Sequence, residues 1–157
     1  MKLGAVPYLN TLPLIYYLSE KPRLAPPAAL DRLLKLGELD LATAPIITLF
    51  ENPNFGLVPH IGICSRGPVE TVRLIFNKQG VTIKNVRSIY LDMESRTSVV
   101  LLKVLLHHKF GRNLGEIRFI HPIPNPDAEA SLLIGNKRSP TNIGGNLIWT
   151  SAMNGPP

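Results

Sequence analysis

Two short stretches place polar side chains where chemistry can be done. The first is Asp92-Met93-Glu94-Ser95-Arg96-Thr97-Ser98, which follows an apolar strand-like run and opens a helix-like one. Hydroxyl residues at such a junction sit beside free backbone N–H groups and the positive end of a helix dipole, a combination that accepts a carboxylate or phosphate. The structural alternative is an ordinary helix start, with Ser95 as the N-cap and Ser98 as a solvated first-turn residue. The second stretch is Tyr8-Leu9-Asn10, directly after the first apolar run. Ligands of α/β sheets bind at the carboxyl ends of strands, which makes the first strand-to-helix loop a favoured position. Asn10 can donate and accept, and Tyr8 offers a ring face and a hydroxyl. Capping of the next helix by Asn10 is the competing role.

Other polar groupings point to structure. His107 and His108 are adjacent in a helical segment, so their rings diverge, whereas two helical metal ligands need i,i+4 spacing. Glu38 and Asp40 fit a solvated turn after Gly37. Cys64 falls in an apolar segment and is expected to pack there as a small hydrophobe. With one cysteine, neither an internal disulfide nor a cysteine-based zinc site is available. No P-loop, G-x-G-x-x-G or G-x-S-x-G string occurs, which argues against nucleotide cofactors and hydrolase elbows. The basic residues are scattered without aromatic interleaving, a poor pattern for nucleic acid.

The elements that must carry these residues alternate. Leu3–Val6 reads as a buried strand, Leu12–Leu18 as a helix with Pro13 in its first turn, and Ala28–Leu39 as an amphipathic helix. In that helix Leu30, Leu33 and Leu34 face the core, Asp31, Arg32 and Lys35 face solvent, and Gly37 weakens the last turn. Asp40–Ala44, Phe55–Ile63, Val69–Asn77, Arg87–Asp92, Glu116–Ile123 and Ala130–Ile134 read as strands. Val99–Lys109 is apolar almost all round and is expected to be a buried helix. The alternation predicts an α/β fold with a largely parallel sheet. Residues 138–157, rich in Pro and Gly, read as a loop or tail.

The chain has 157 residues, of which 45% are hydrophobic, enough for a sizeable core. Seventeen basic against eleven acidic residues give +6, which suits an anionic partner. Pro7, Asn10 and Pro13 interrupt the apolar amino terminus, so it does not read as a secretory leader. No segment reaches the ~18 apolar residues of a membrane span. A cytoplasmic protein is expected.

Longer strings carry a more specific signal. Gly4-Ala5-Val6-Pro7-Tyr8-Leu9-Asn10-Thr11-Leu12-Pro13-Leu14, Gly37-Glu38-Leu39-Asp40-Leu41-Ala42 with Pro45-Ile46, and Gly62-Ile63 with Ser65-x-Gly67-Pro68-Val69 resemble the chorismate dehydratases of the futalosine route to menaquinone. So do Asp92-x-x-Ser95-Arg96-Thr97-Ser98-Val99 and Leu132-Leu133-Ile134-Gly135-Asn136, in order and at sensible spacing. The resemblance implies two α/β lobes of the type-2 periplasmic-binding-protein kind: a first lobe at 1–86, part of a second at 87–137 and a tail at 138–157. It implies a lyase that removes water from chorismate to give 3-[(1-carboxyvinyl)oxy]benzoate, with no metal or other cofactor and no nucleic-acid or membrane partner. Asn10 and Ser95 fall at catalytic positions, and Tyr8, Thr11, Arg96, Thr97 and Ser98 at substrate-binding ones. A non-catalytic module binding a small carboxylate is the alternative. Oligomeric state is not legible.

The resemblance stops near Lys137, and the tail suggests a reason. Read from the third base of each codon, Trp149-Thr150 gives aspartate, Met153-Asn154 gives glutamate, and Asn154-Gly155 gives tryptophan or arginine. That string is similar to the family's D-L-G-x-E-W segment. A frameshift just after Lys137 is therefore expected, leaving a second lobe with open strand edges and doubtful activity.

Overall fold

The computed structural model describes residues 1–65, 69, 71–92, 94, 96–121 and 127–134. It is mixed α/β with two sheets, and the chain divides into two compact units. One comprises Met1–Cys64 with Glu94–Thr97; the described residues of the other run from Ser65 to Asp92 and from Ser98 to Ile134.

The first unit holds a three-stranded parallel sheet in the order β2-β1-β3, formed by β1 (Leu3–Ala5), β2 (Arg23–Leu24) and β3 (Leu41–Ala42). Around it lie α1 (Leu12–Ile15), α2 (Pro27–Lys35) and α3 (Ile47–Glu51). Leu30 and Leu33 of α2 pack with Val6 and Leu39, and Ala25, Leu34 and Ala42 close the cluster. Gly4 makes this approach possible. A Cβ there would lie 2.6 Å from Leu39 Cδ1, 2.7 Å from Leu30 Cδ2 and 3.1 Å from Ala42 Cβ.

Gly37 does not weaken a helix running to Leu39; it ends α2 at Lys35. At φ +69° it closes a Schellman turn, donating to the Leu34 carbonyl at 3.0 Å while Glu38 N–H donates to Leu33 at 2.9 Å. The chain then enters β3 directly. Lys2 N–H donates to the Asp40 carboxylate at 2.6 Å, and Asp40 N–H returns a bond to the Lys2 carbonyl at 2.8 Å.

The second unit holds a four-stranded sheet in the order β4-β7-β5-β6: β4 (Val72–Phe76), β5 (Ser88–Leu91), β6 (Arg118–Ile120) and β7 (Ala130–Ile134). β5 is parallel to β6 and β7, while β4 is antiparallel to β7. The expected parallel character thus holds for one sheet completely and for the other in part. β7 is buried on both faces, as a central strand should be. Leu74, Ile89, Leu91 and Leu132 of the sheet pack with Leu102 and Leu106. Those two leucines mark the buried face of α4 (Arg96–Val104) and of the π-turn Leu105–Lys109 that continues it. The helix starts earlier than Val99 and is not buried all round, because Val100 and Val104 are exposed.

Two further expectations give way. Phe55–Ile63 forms no strand: Pro59 lacks an N–H for a ladder, His60 sits at φ 63°, and Leu57, Ile61 and Ile63 are exposed. Cys64 is likewise exposed rather than packed. Of the two compact units, the first ends its main run at Cys64, and β4 belongs with its partner β7 in the second. The tail at 138–157 lies outside the described residues.

Candidate functional site

The loop at the carboxyl end of β1 carries Tyr8, Asn10 and Thr11. The chain leaves β1 at Val6, whose N–H donates to Thr43 Oγ1 at 2.9 Å, and turns through a 3-10 segment, Leu9–Thr11, into α1. Pro13 fits there because the first turn of a helix has no use for its missing N–H. Thr11 N–H donates to the Tyr8 carbonyl at 3.0 Å.

No side-chain cap holds the helical turns of this loop: neither the 3-10 turn nor α1 has one, so Asn10 is not spent on capping. Tyr8 and Asn10 are exposed. Thr11 is the opposite: it is 0% exposed, and its hydroxyl has no hydrogen-bond partner among the described residues. A buried hydroxyl without a partner costs on the order of 1–3 kcal/mol, so such groups are rare unless something else uses them.

The second candidate stretch begins α4. Ser95 lies outside the described residues. Thr97, in the first turn, also has a buried hydroxyl without a partner. Ser98 is buried, not solvated. Tyr8, Asn10, Thr11, Arg96 and Thr97 all belong to the first unit, whereas Ser98 is counted with the second. Among the described residues, the side-chain hydrogen bonds of Arg96 run to Asp31 and Glu51 and not to the Tyr8–Thr11 loop.

Arg96 is engaged elsewhere. Its Nη1 donates to Asp31 Oδ2 and its Nη2 to Glu51 Oε2. Lys35 Nζ reaches the same two oxygens, at 3.0 Å and 3.3 Å. Thr48 completes the group by donating its hydroxyl to Asp31 Oδ1 at 2.7 Å. Two carboxylates and two cations therefore cancel. Burial alone would push the Asp31 carboxyl up, but Thr48, Lys35 and Arg96 together outweigh it and hold it below the usual carboxylate range. Glu51 is lowered chiefly by its hydrogen bond from Arg96, then by Lys35. The bond to Glu51 in turn holds Arg96 more firmly in its charged form.

Sequence reasoning placed Asp31 on a solvated face, but it is 6% exposed. The signal present was the i,i+4 spacing of Asp31 and Lys35. The roles of Thr48 and Glu51 carried none, because α3 follows no clear periodic pattern. His107 and His108 stand edge to face at 4.7 Å on the exposed side of the π-turn. Among the described residues no group of three His, Cys, Asp or Glu side chains could hold a metal ion, and no helix is long and apolar enough to cross a membrane.

A family model described as menaquinone biosynthesis matches residues 1–143. No curated protein matches the chain.

Proposed function

The chain belongs to the menaquinone-biosynthesis family, and from that premise we propose that it carries the site of a chorismate dehydratase on a fold of the type-2 periplasmic-binding-protein kind. The family membership supports an enzymatic role on a small-molecule substrate. The observation that carries the finer reading is the Thr11 hydroxyl, fully buried and unpartnered, beside an Asn10 amide that no structural bond consumes. A polar substrate satisfies both.

In the proposed reaction the proton leaves the ether-bearing ring carbon of chorismate and its C–H electrons pass into the ring. The adjacent C–O bond breaks, hydroxide takes up a proton, water departs and the ring becomes aromatic. The leaving proton is vinylogous to the ring carboxylate, so negative charge develops as a dienolate. Hydroxyls of the serine motif and the N-terminal N–H groups of α4 have the donor chemistry to stabilise that charge. Asn10 holds or polarises the departing hydroxyl, and Tyr8 and Thr11 bind the substrate. Ser95 or the substrate's own side-chain carboxylate accepts the proton. Thr97 and Ser98 contribute hydroxyls, and Arg96 belongs to the same motif.

Mixing the protein with chorismate and following the aromatic product by absorbance tests this directly. Product is expected, and Asn10→Ala should reduce its rate about 100-fold or more, in line with loss of a polar transition-state contact. Binding without aromatisation would select a non-catalytic carboxylate-binding module, and neither binding nor product would sink both readings.

A further inference from the structure

We propose that Asp31 and Glu51 make Arg96 a positioning residue, which fixes the first turn of α4 and does not pair with the substrate. This deepens the dehydratase reading and rests on it. An arginine binds a carboxylate most strongly with two parallel N–H donors of its fork, which side-chain anions on both terminal nitrogens compete for. Arg96 instead has one terminal nitrogen on Asp31 and the other on Glu51. Its side chain is 28% exposed, and that of Asp31 is 8%. If Arg96 turned away to a ligand, the buried Asp31 carboxylate would keep only Lys35 as a cationic partner. The incoming anion would also bring its charge toward two carboxylates. Thr48 fixes the other oxygen of Asp31, so the carboxylate plane, and with it the approach of Arg96, is set from α2 and α3. Thr97, the neighbour of Arg96, has a buried hydroxyl with no hydrogen-bond partner among the described residues. Holding Arg96 therefore also holds a residue with a donor to spare.

Hydrogen exchange of the full chain, read on a peptide spanning α4 and on peptides spanning β4 and β7, tests the placement without any ligand. Asp31→Asn and Arg96→Lys should each speed exchange in the α4 peptide about tenfold while leaving β4 and β7 unchanged. The double variant should be no worse than either single, because both cut the same link. Unchanged α4 exchange in both singles, or additive effects in the double, would overturn the proposal. In the turnover assay Asp31→Asn should lower kcat about tenfold with KM within about twofold, and Asp31→Glu should recover part of it. A raised KM at unchanged kcat would instead assign Arg96 to substrate binding and overturn the proposal. If the wild-type chain neither binds nor converts chorismate, the dehydratase reading fails, and the exchange result still decides whether Arg96 is held.

Discussion

Thr11 and Asp31 are both buried polar residues of the first unit, and they make opposite predictions. The Asp31 carboxylate is satisfied on both oxygens, so Asp31→Ala should destabilise by about 3 kcal/mol at neutral pH, the range for removing one partner of a buried ion pair. Because the folded carboxyls of Asp31 and Glu51 are lowered, their contribution is present above the ordinary carboxylate pKa of about 4 and fades as pH falls below it. The gap in urea midpoint between wild type and Asp31→Ala should therefore narrow between pH 7 and pH 3. The Thr11 hydroxyl is unsatisfied, so Thr11→Val, nearly equal in shape, should leave stability unchanged or raise it by about 1 kcal/mol. It should weaken chorismate binding at the same time. Calorimetric unfolding and ligand titration of the one variant check both halves, and a clear loss of stability would mean that the hydroxyl has a partner after all.

At the scale of elements, the strings that signalled a family have individual mechanical tasks. In Gly37-Glu38-Leu39-Asp40-Leu41-Ala42 the glycine takes the left-handed turn, Leu39 fills the core, Asp40 bonds the amino terminus, and Leu41-Ala42 is β3. Gly37→Ala should cost about 1 kcal/mol through backbone strain alone, since nothing lies within 4 Å of an added Cβ. Gly4→Ala should cost about 1–3 kcal/mol for the other reason, overpacking against Leu30 and Leu39. Thermal unfolding of the pair separates the two causes, since trimming Leu39 to Val should relieve Gly4→Ala and not Gly37→Ala. Periodicity found β7 to the residue and β5 to within one or two, because buried strands read as apolar runs. It missed β2, only two residues long, and it invented a strand at Phe55–Ile63, where apolar residues face outward. Apolar letters report burial only when a partner exists to bury them.

At the scale of the whole molecule, the sequence strings and the matched family agree on menaquinone biosynthesis over most of the chain. The loop after β1 was legible as a candidate site because strand ends in α/β sheets are open to ligands. What favours binding over capping was not legible. The letters of Asn10 and Thr11 serve either role, and only the missing cap bonds and the buried hydroxyl favour the proposed one. The Arg96 partners were illegible for a different reason: Asp31 and Glu51 lie 65 and 45 residues away in sequence.

The +6 net charge invites the idea that an anionic ligand is drawn in by attraction alone. Around Asp31 the four charges cancel, so the cation nearest the start of α4 adds little pull. On the proposed dehydratase reading, neutral donors such as the Thr97 hydroxyl do the discriminating, and they respond to where an oxygen sits rather than to how much charge it bears. A site of that kind tolerates salt and rejects the wrong shape.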